Sequence, residues 1–343
     1  MKSIVNNGEI FLEKLITTFD GNCNPFRNFS SKELKLATNN YDTMNIIIED
    51  WFFKLYKGFL PDRQISVMKF GSEYDCCINN IVLASQMCHK HILKLIGCCL
   101  ETEVPILVFE SLVKYGTLKD HILSHHKCHL ETLSWRQRLK IAMEISHTFA
   151  YLHIGFPRPI VYSLMDSSQF LLDENCVPKL FDFSHAQCIP EGETQIKDAY
   201  VGGFHGYIAP EHISSGVLYE KCDVYGFGSL LLELLTGQRA YKILVSCTTE
   251  DEDLQYSSGI EDEDSGTQYQ DLLRNFVKKI KEDNRFIEAV DPIIVGDGLC
   301  PEIEQQLKVC MELAFKCPSY SGEDRPTMID AAKQLRQLYL STS

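Results

Sequence analysis

Between Pro159 and Asp173 the chain reads Pro-Ile-Val-Tyr-Ser-Leu-Met-Asp-Ser-Ser-Gln-Phe-Leu-Leu-Asp, a polar stretch framed by two apolar runs. The groups offered inside the frame are a phenol at Tyr162, a hydroxyl at Ser163, a carboxylate at Asp166 and an amide at Gln169. Leu164, in their midst, has no atom that can accept a proton from a hydroxyl. Two further candidates lie apart in sequence. Lys69 ends the β-rich run Ile65-Ser66-Val67-Met68-Lys69, and Asp182 opens Asp182-Phe183-Ser184. A carboxylate in the latter setting can hold magnesium or hydrogen-bond to the backbone of its own turn. Histidine and cysteine gather twice, at Cys88, His89, His91, Cys98 and Cys99 and again at His125, His126, Cys128 and His129. Core packing explains the first group and a polar loop the second, so zinc is not expected.

The framed stretch resembles the catalytic loop of eukaryotic protein kinases, H-R-D-x-x-x-x-N followed by a hydrophobic strand. The resemblance sets Tyr162 at the His, Ser163 at the Arg, Leu164 at the catalytic Asp, Asp166 at the phosphate-contacting Lys and Gln169 at the metal-binding Asn. It matches the run ending in Lys69 to V-A-I-K, which puts Lys69 at the phosphate-pairing position and Val67 in place of the small Ala beneath adenine. Asn80 then stands where the lysine's partner Glu belongs, so that ion pair cannot form. The glycine-rich loop has Ile48, Asp50 and Phe53 for its glycines with Trp51 and Phe52 between, which implies poor nucleotide binding. Phe109 falls at the gatekeeper position and Glu110 to Leu112 at the inter-lobe hinge. Asp182-Phe183-Ser184 replaces D-F-G. Lys69, Asp182, Val67, Glu110 and Leu112 are therefore what is expected of a residual ATP and magnesium site, with no cofactor required.

Framework positions are kept where reacting ones are lost. Glu211 and Arg325 match a buried ion pair that ties the activation segment to the late helices, Asp223 matches the aspartate anchored beneath the catalytic loop, and Gly237 closes the helix ending at Thr236. The chain of 343 residues carries 47 acidic against 33 basic residues, a net charge of −14, which argues against nucleic acid as a partner. No run of 18 apolar residues and no signal peptide or myristoylation motif is found, so a cytoplasmic protein is expected. Its 14 cysteines are read as reduced, mostly buried thiols.

The elements that must position these groups are legible in part. Phe11, Leu12, Leu15, Ile16 and Phe19 have helical spacing within 7–19. Ser30-Ser31-Lys32-Glu33 and Ser134-Trp135-Arg136-Gln137 have the form of capping boxes, the first opening a helix through Ala37 and the second a long core helix. Ile106–Glu110 reads as a buried strand. An α+β, bilobal kinase-like fold is expected: a helical extension over 1–41, a β-rich small lobe and hinge over 42–112, and a helical large lobe over 113–343. Residues 248–266, with two acidic tetrads, read as a disordered insertion.

Asn28–Tyr41, Leu95-Ile96-Gly97-Cys98-Cys99-Leu100-Glu101 and Asp223–Gly228 resemble plant receptor-like kinases of the wall-associated type. With Asn7-Gly8-Glu9-Ile10-Phe11-Leu12 and the altered loop, the chain is similar to the receptor-like cytoplasmic pseudokinases related to the HopZ-ETI-deficient protein. That resemblance implies a non-catalytic adaptor in effector-triggered immunity. Its expected partners are the leucine-rich-repeat domain of a coiled-coil immune receptor, a bacterial effector, and a receptor-like cytoplasmic kinase modified by the effector. Partners could carry it to the inner face of the plasma membrane. Phe11 and Leu15 of the N-terminal helix would face the repeat domain, and Tyr200, Gly202, Gly203 and His205 of the activation segment would recruit the kinase. A weakly active Ser/Thr kinase using Asp166 as base, and an ATP-binding switch, stay open as alternatives.

Overall fold

A helix of 18 residues, Lys2–Phe19 (α1), begins the chain and starts earlier than residue 7, its first turns mixing Ile4 and Val5 with Ser3, Asn6 and Asn7. Leu15, with Ile10, Phe11 and Phe19 beside it, packs on Ile78 and Val82 of helix Tyr74–Gln86 (α3). Asn7 plugs the same contact. Its side chain is buried, donates to the carbonyls of Leu100 at 3.0 Å and Thr102 at 2.9 Å, and accepts from the Tyr74 hydroxyl at 2.8 Å. The structure, a computed structural model, describes residues 2–341 except 22–23, 25, 112–115, 124–131, 204–205, 240–241, 243–271, 273–274, 277–285 and 297. Leu112, His205, the second histidine group and the acidic insertion at 248–266 lie outside the described residues.

Helix Ser31–Ala37 (α2) is capped by the Ser30 hydroxyl, which accepts the Glu33 N–H at 3.2 Å. The reciprocal half of the expected capping box does not form, because the Glu33 carboxylate pairs with Arg27 at 2.6 Å instead. Strands Arg27–Asn28 (β1), Ile46–Glu49 (β2), Phe53–Phe59 (β3), Gln64–Phe70 (β4), Leu95–Cys99 (β5) and Ile106–Glu110 (β6) form one sheet in the order β1-β5-β6-β4-β3-β2. β1 is parallel to β5 and the other pairs are antiparallel. A Cβ at Gly97 of β5 would lie 2.0 Å from the Arg27 carbonyl oxygen, so this pairing requires glycine.

Two compact units result, Met1–Gly116 with Gln169–Ala186, and Thr117–Ser168 with Gln187–Ser343. The hairpin Phe170–Leu172/Pro178–Leu180 belongs with the first, since Leu93 donates to the Leu180 carbonyl at 2.8 Å and Leu180 to the His91 carbonyl at 2.9 Å. In the second unit helices Leu118–Leu123 (α4), Trp135–Ile154 (α5), Pro210–Ser215 (α6), Glu220–Thr236 (α7), Pro301–Lys316 (α8) and Met328–Leu340 (α9) supply the core. α5 opens on a complete Ser134/Gln137 capping box and packs against α7 and α9. α7 is buried along nearly its whole length and ends at Gly237 in the left-handed region, φ 69°, as its C-terminal glycine requires. Arg138 of α5, fully buried, pairs with Asp291 at 2.6 Å. A β-sheet unit and a helical unit in this element order are the α+β, bilobal protein-kinase fold.

Candidate functional site

Side chains on β4 alternate between the two faces of the sheet. Ile65 and Val67 enter a cluster with Phe29, Leu34, Tyr56 and Val108 beneath α2, and Lys69 stands on that same face, exposed, its ammonium 4.8 Å from the Tyr41 ring centre. Met68 takes the other face, fully buried, its Sδ 3.7 Å from Nδ2 of Asn80. The motif match expects Lys69 opposite Asn80. The strand instead delivers Met68 there and turns Lys69 and Val67 away, because a shift of one residue reverses the face. Glu110 pairs with Ile65 on the α2 side and its Oε1 accepts the Lys94 N–H at 3.4 Å, so its side chain is turned from Met68 as well. Phe109, buried opposite Ser66, shares the Met68 face.

Asn80 donates to Oδ1 of Asp182 at 2.8 Å, and the same oxygen accepts the Ser184 N–H at 3.0 Å and the Ser184 hydroxyl. Burial raises the Asp182 carboxyl above the ordinary carboxylate range, with the Ser184 hydrogen bonds opposing. Asn79 points its Nδ2 at the carbonyls of Phe183, Ser184 and Ala186, at 3.0, 3.0 and 2.8 Å. Two successive amides of α3 thus hold the 182–186 turn. Asn79→Ala is expected to cost about 1–2 kcal/mol and to speed amide hydrogen exchange at 183–187 selectively. Exchange that rises evenly over the unit would show that Asn79 does not hold this turn.

At the glycine-rich position, Asp50 to Phe52 form a tight turn in which the Asp50 carboxylate accepts the Phe52 N–H at 3.2 Å. The aromatic side chains part company. Phe53 is buried against Phe70 and Phe181, ring centres 5.7 and 5.9 Å away, while Trp51 is 98% exposed. Ile48 lies opposite Leu55 in the hairpin. Gln169 ends a 3-10 turn, Ser167–Gln169, half-buried.

In the second unit the degenerate loop is shaped by Asp223, itself buried. Its carboxylate accepts the N–H groups of Tyr162, at 3.0 Å, and Ser163, at 2.9 Å, and faces His153 Nε2 at 2.8 Å. Ser163 is held in the left-handed region, φ 66°, where non-glycine residues are uncommon. Leu164 is half-buried; a Cβ built on Gly203, φ 125°, would come within 3.1 Å of its Cδ2. Tyr200 is 66% exposed, and a Cβ at Gly202 would meet its ring at 2.5 Å.

Asp166 is buried and fully engaged. One oxygen accepts the Ser168 N–H at 2.8 Å and the Ser168 hydroxyl, and the other pairs with Arg239, which also approaches Glu233 at 3.3 Å. Burial raises the Glu233 carboxyl to about 7, Arg239 opposing. With one oxygen on Ser168 and the other on Arg239, Asp166 has both carboxylate oxygens engaged in this arrangement. The expected framework pair is present, Arg325 holding Glu211 through two bonds at 2.6 and 2.8 Å. Arg325 lowers the Glu211 carboxyl against the effect of burial.

Among the described residues, no three His, Cys, Asp or Glu side chains converge as metal ligands. Three contributors went unread in the sequence. Asn79 is signalled only by a second amide in the apolar context Cys-Ile-Asn-Asn-Ile-Val; Met68 follows from strand alternation; and Arg239, just past the α7 terminus, is a cation that the carboxylate at 166 calls for.

A β-sheet unit, a helical unit and a loop anchored by a buried aspartate define a protein-kinase domain. The chain belongs to the protein tyrosine and serine/threonine kinase family, whose model matches residues 69–279, in the wall-associated-kinase-like branch that includes ZED1 and ZRK1. It is 34% identical to putative wall-associated receptor kinase-like 16 of Arabidopsis thaliana, over 98% of this chain and 72% of that one. It is 35% identical to the non-functional pseudokinase ZED1 of the same plant over 97% of this chain and 95% of the relative. To the serine/threonine-protein kinase ZRK1, also of Arabidopsis thaliana, identity is 33% over 98% and 92%. Among the described residues no helix is long and apolar enough to cross a membrane.

Proposed function

We propose that this chain is a pseudokinase that works as a binding scaffold and transfers no phosphate. One observation carries the reading. The carboxylates at the altered catalytic loop and at the D-F-G position are committed inside their own units, Asp182 to Asn80 and Ser184 and Asp166 to Arg239, while Leu164 offers none. The residues present do not fit magnesium and ATP either, since Met68 occupies the face where an ammonium would meet phosphate and Asp182 is already bonded. The name of ZED1 as a non-functional pseudokinase supports this reading, and that of ZRK1 as a kinase makes the test necessary. A nucleotide at one hundred times its dissociation constant would add about 2.7 kcal/mol of stability. Thermal-shift measurement with magnesium and ATP is expected to give no rise in melting temperature, and a rise of several degrees would sink the non-binding reading.

As an adaptor, the protein would join the repeat domain of a coiled-coil immune receptor to an effector-modified receptor-like cytoplasmic kinase, in the cytoplasm or at the inner face of the plasma membrane. The family resemblance supplies these partners. The packing of Leu15 on α3, with Phe11 half-buried beside it, weighs against these two residues as the contact that α1 offers. Val5, Leu12 and Ile16, 58, 53 and 53% exposed and on one side of the helix, are what α1 presents. Leu12→Glu with Ile16→Glu is expected to weaken capture of the repeat domain about tenfold or more while leaving the melting temperature unchanged. Undiminished capture would place the receptor contact elsewhere.

A further inference from the structure

The first unit holds a cavity of about 470 Å³ lined by Phe26, Met87 and Leu95 together with Lys90, Lys94 and Lys179. A chain of net charge −14 here gathers three ammonium groups around apolar walls, against a single acidic side chain in the lining, Glu110. Lys179 is fixed, its ammonium donating to the Lys90 carbonyl at 2.5 Å. Lys90 and Lys94 are exposed and, among the described residues, have no carboxylate partner. Glu110 is drawn to the Lys94 backbone rather than to an ammonium.

We infer that this cavity binds an acidic peptide segment of a partner protein, taking one bulky apolar side chain between Phe26, Met87 and Leu95 with flanking carboxylates on Lys90 and Lys94. The apolar lining calls for an apolar group, which a free inorganic anion lacks. The volume suits one or two side chains. A membrane or a nucleic acid presents a dense array of negative charge that the whole acidic surface would repel, whereas a short peptide carries few charges, each screened beyond about 8 Å at physiological salt. None of the lining residues belongs to α1 or to Tyr162–Gln169, although Phe26 packs edge-on against Phe11 of α1 with ring centres 5.7 Å apart; the peptide site needs that lining alone and stands whether or not the scaffold reading does.

The test is fluorescence anisotropy of the full chain with a fluorescein-labelled peptide, Gly-Asp-Glu-Phe-Glu-Asp-Gly. Saturable binding is expected, weakened about tenfold by K90E/K94E, the loss that 1.4 kcal/mol represents, and weakened by added salt. The control K32E/K35E makes the same charge change at two exposed lysines on α2 and is expected to bind as the unaltered chain does. Should K90E/K94E lower the melting temperature, K90Q/K94Q serves for the same comparison. Three results would each overturn the inference: no saturable binding, equal loss in K32E/K35E, or equal binding of the peptide with Gly in place of Phe.

Discussion

Replacing Asp223 by alanine is expected to lower the melting temperature by on the order of 10 °C, the largest loss from any one polar substitution near the altered loop. The carboxylate is buried and receives the N–H groups of Tyr162 and Ser163 at 3.0 and 2.9 Å, with His153 Nε2 at 2.8 Å. An imidazole nitrogen facing a carboxylate donates, so alanine would strand three donors away from water. Each stranded donor costs about 1–3 kcal/mol, and a few kcal/mol in all is consistent with the expected shift. Ser163 adds to the dependence, since its left-handed backbone is held by the bond its N–H makes to Asp223. Scanning fluorimetry checks the shift. A fall of only a degree or two would mean that other contacts shape the loop.

Glu233→Gln is expected to change the pH dependence of stability by a comparable amount. Glu233 is fully buried near Arg239, Asp166 and Tyr207, and its carboxyl is raised from 4.5 to about 7 with burial as the main cause. The sign follows directly. Below pH 4.5 the group is protonated in both states and costs nothing; between there and about pH 7 the unfolded chain loses its proton while the folded one keeps it; above that range the penalty is constant. Stability from this group therefore falls as pH rises, by roughly 3 kcal/mol across the window. Glutamine removes the ionisation and is expected to stabilise the protein at pH 8 by much of that amount and to have little effect near pH 4. Urea denaturation at the two pH values measures the difference. Parallel curves for the two proteins would show that Arg239 keeps Glu233 ionised throughout.

Much of the architecture could be read from residue order because its signals are local. Ser134 and Gln137 build the whole capping box within one turn, and Gly237 ends its helix through its own backbone. What depends on a distant partner could not. The Ser30 box half-fails because Arg27 takes the Glu33 carboxylate, and Leu15 looks like a surface anchor until α3 covers it. The altered loop gave up its missing groups at once, a leucine being a leucine in any fold. That Asp166 is engaged by Arg239, 73 positions further on, is a fact of tertiary packing, as is the grip of Asn79 on three carbonyls.

Lys69 carries a wider lesson for matching kinase motifs to a strand. Neighbouring residues of an extended chain look in opposite directions, so an amine that matches a text pattern at 69 is no nearer to an incoming triphosphate than one on the outer surface. Counting kept lysines would credit this chain with an amine on the Asn80 side of the sheet, where the strand places Met68 instead. An amine meant to face Asn80 would be grafted at Met68, and Lys69 could be exchanged for a neutral residue without touching that goal.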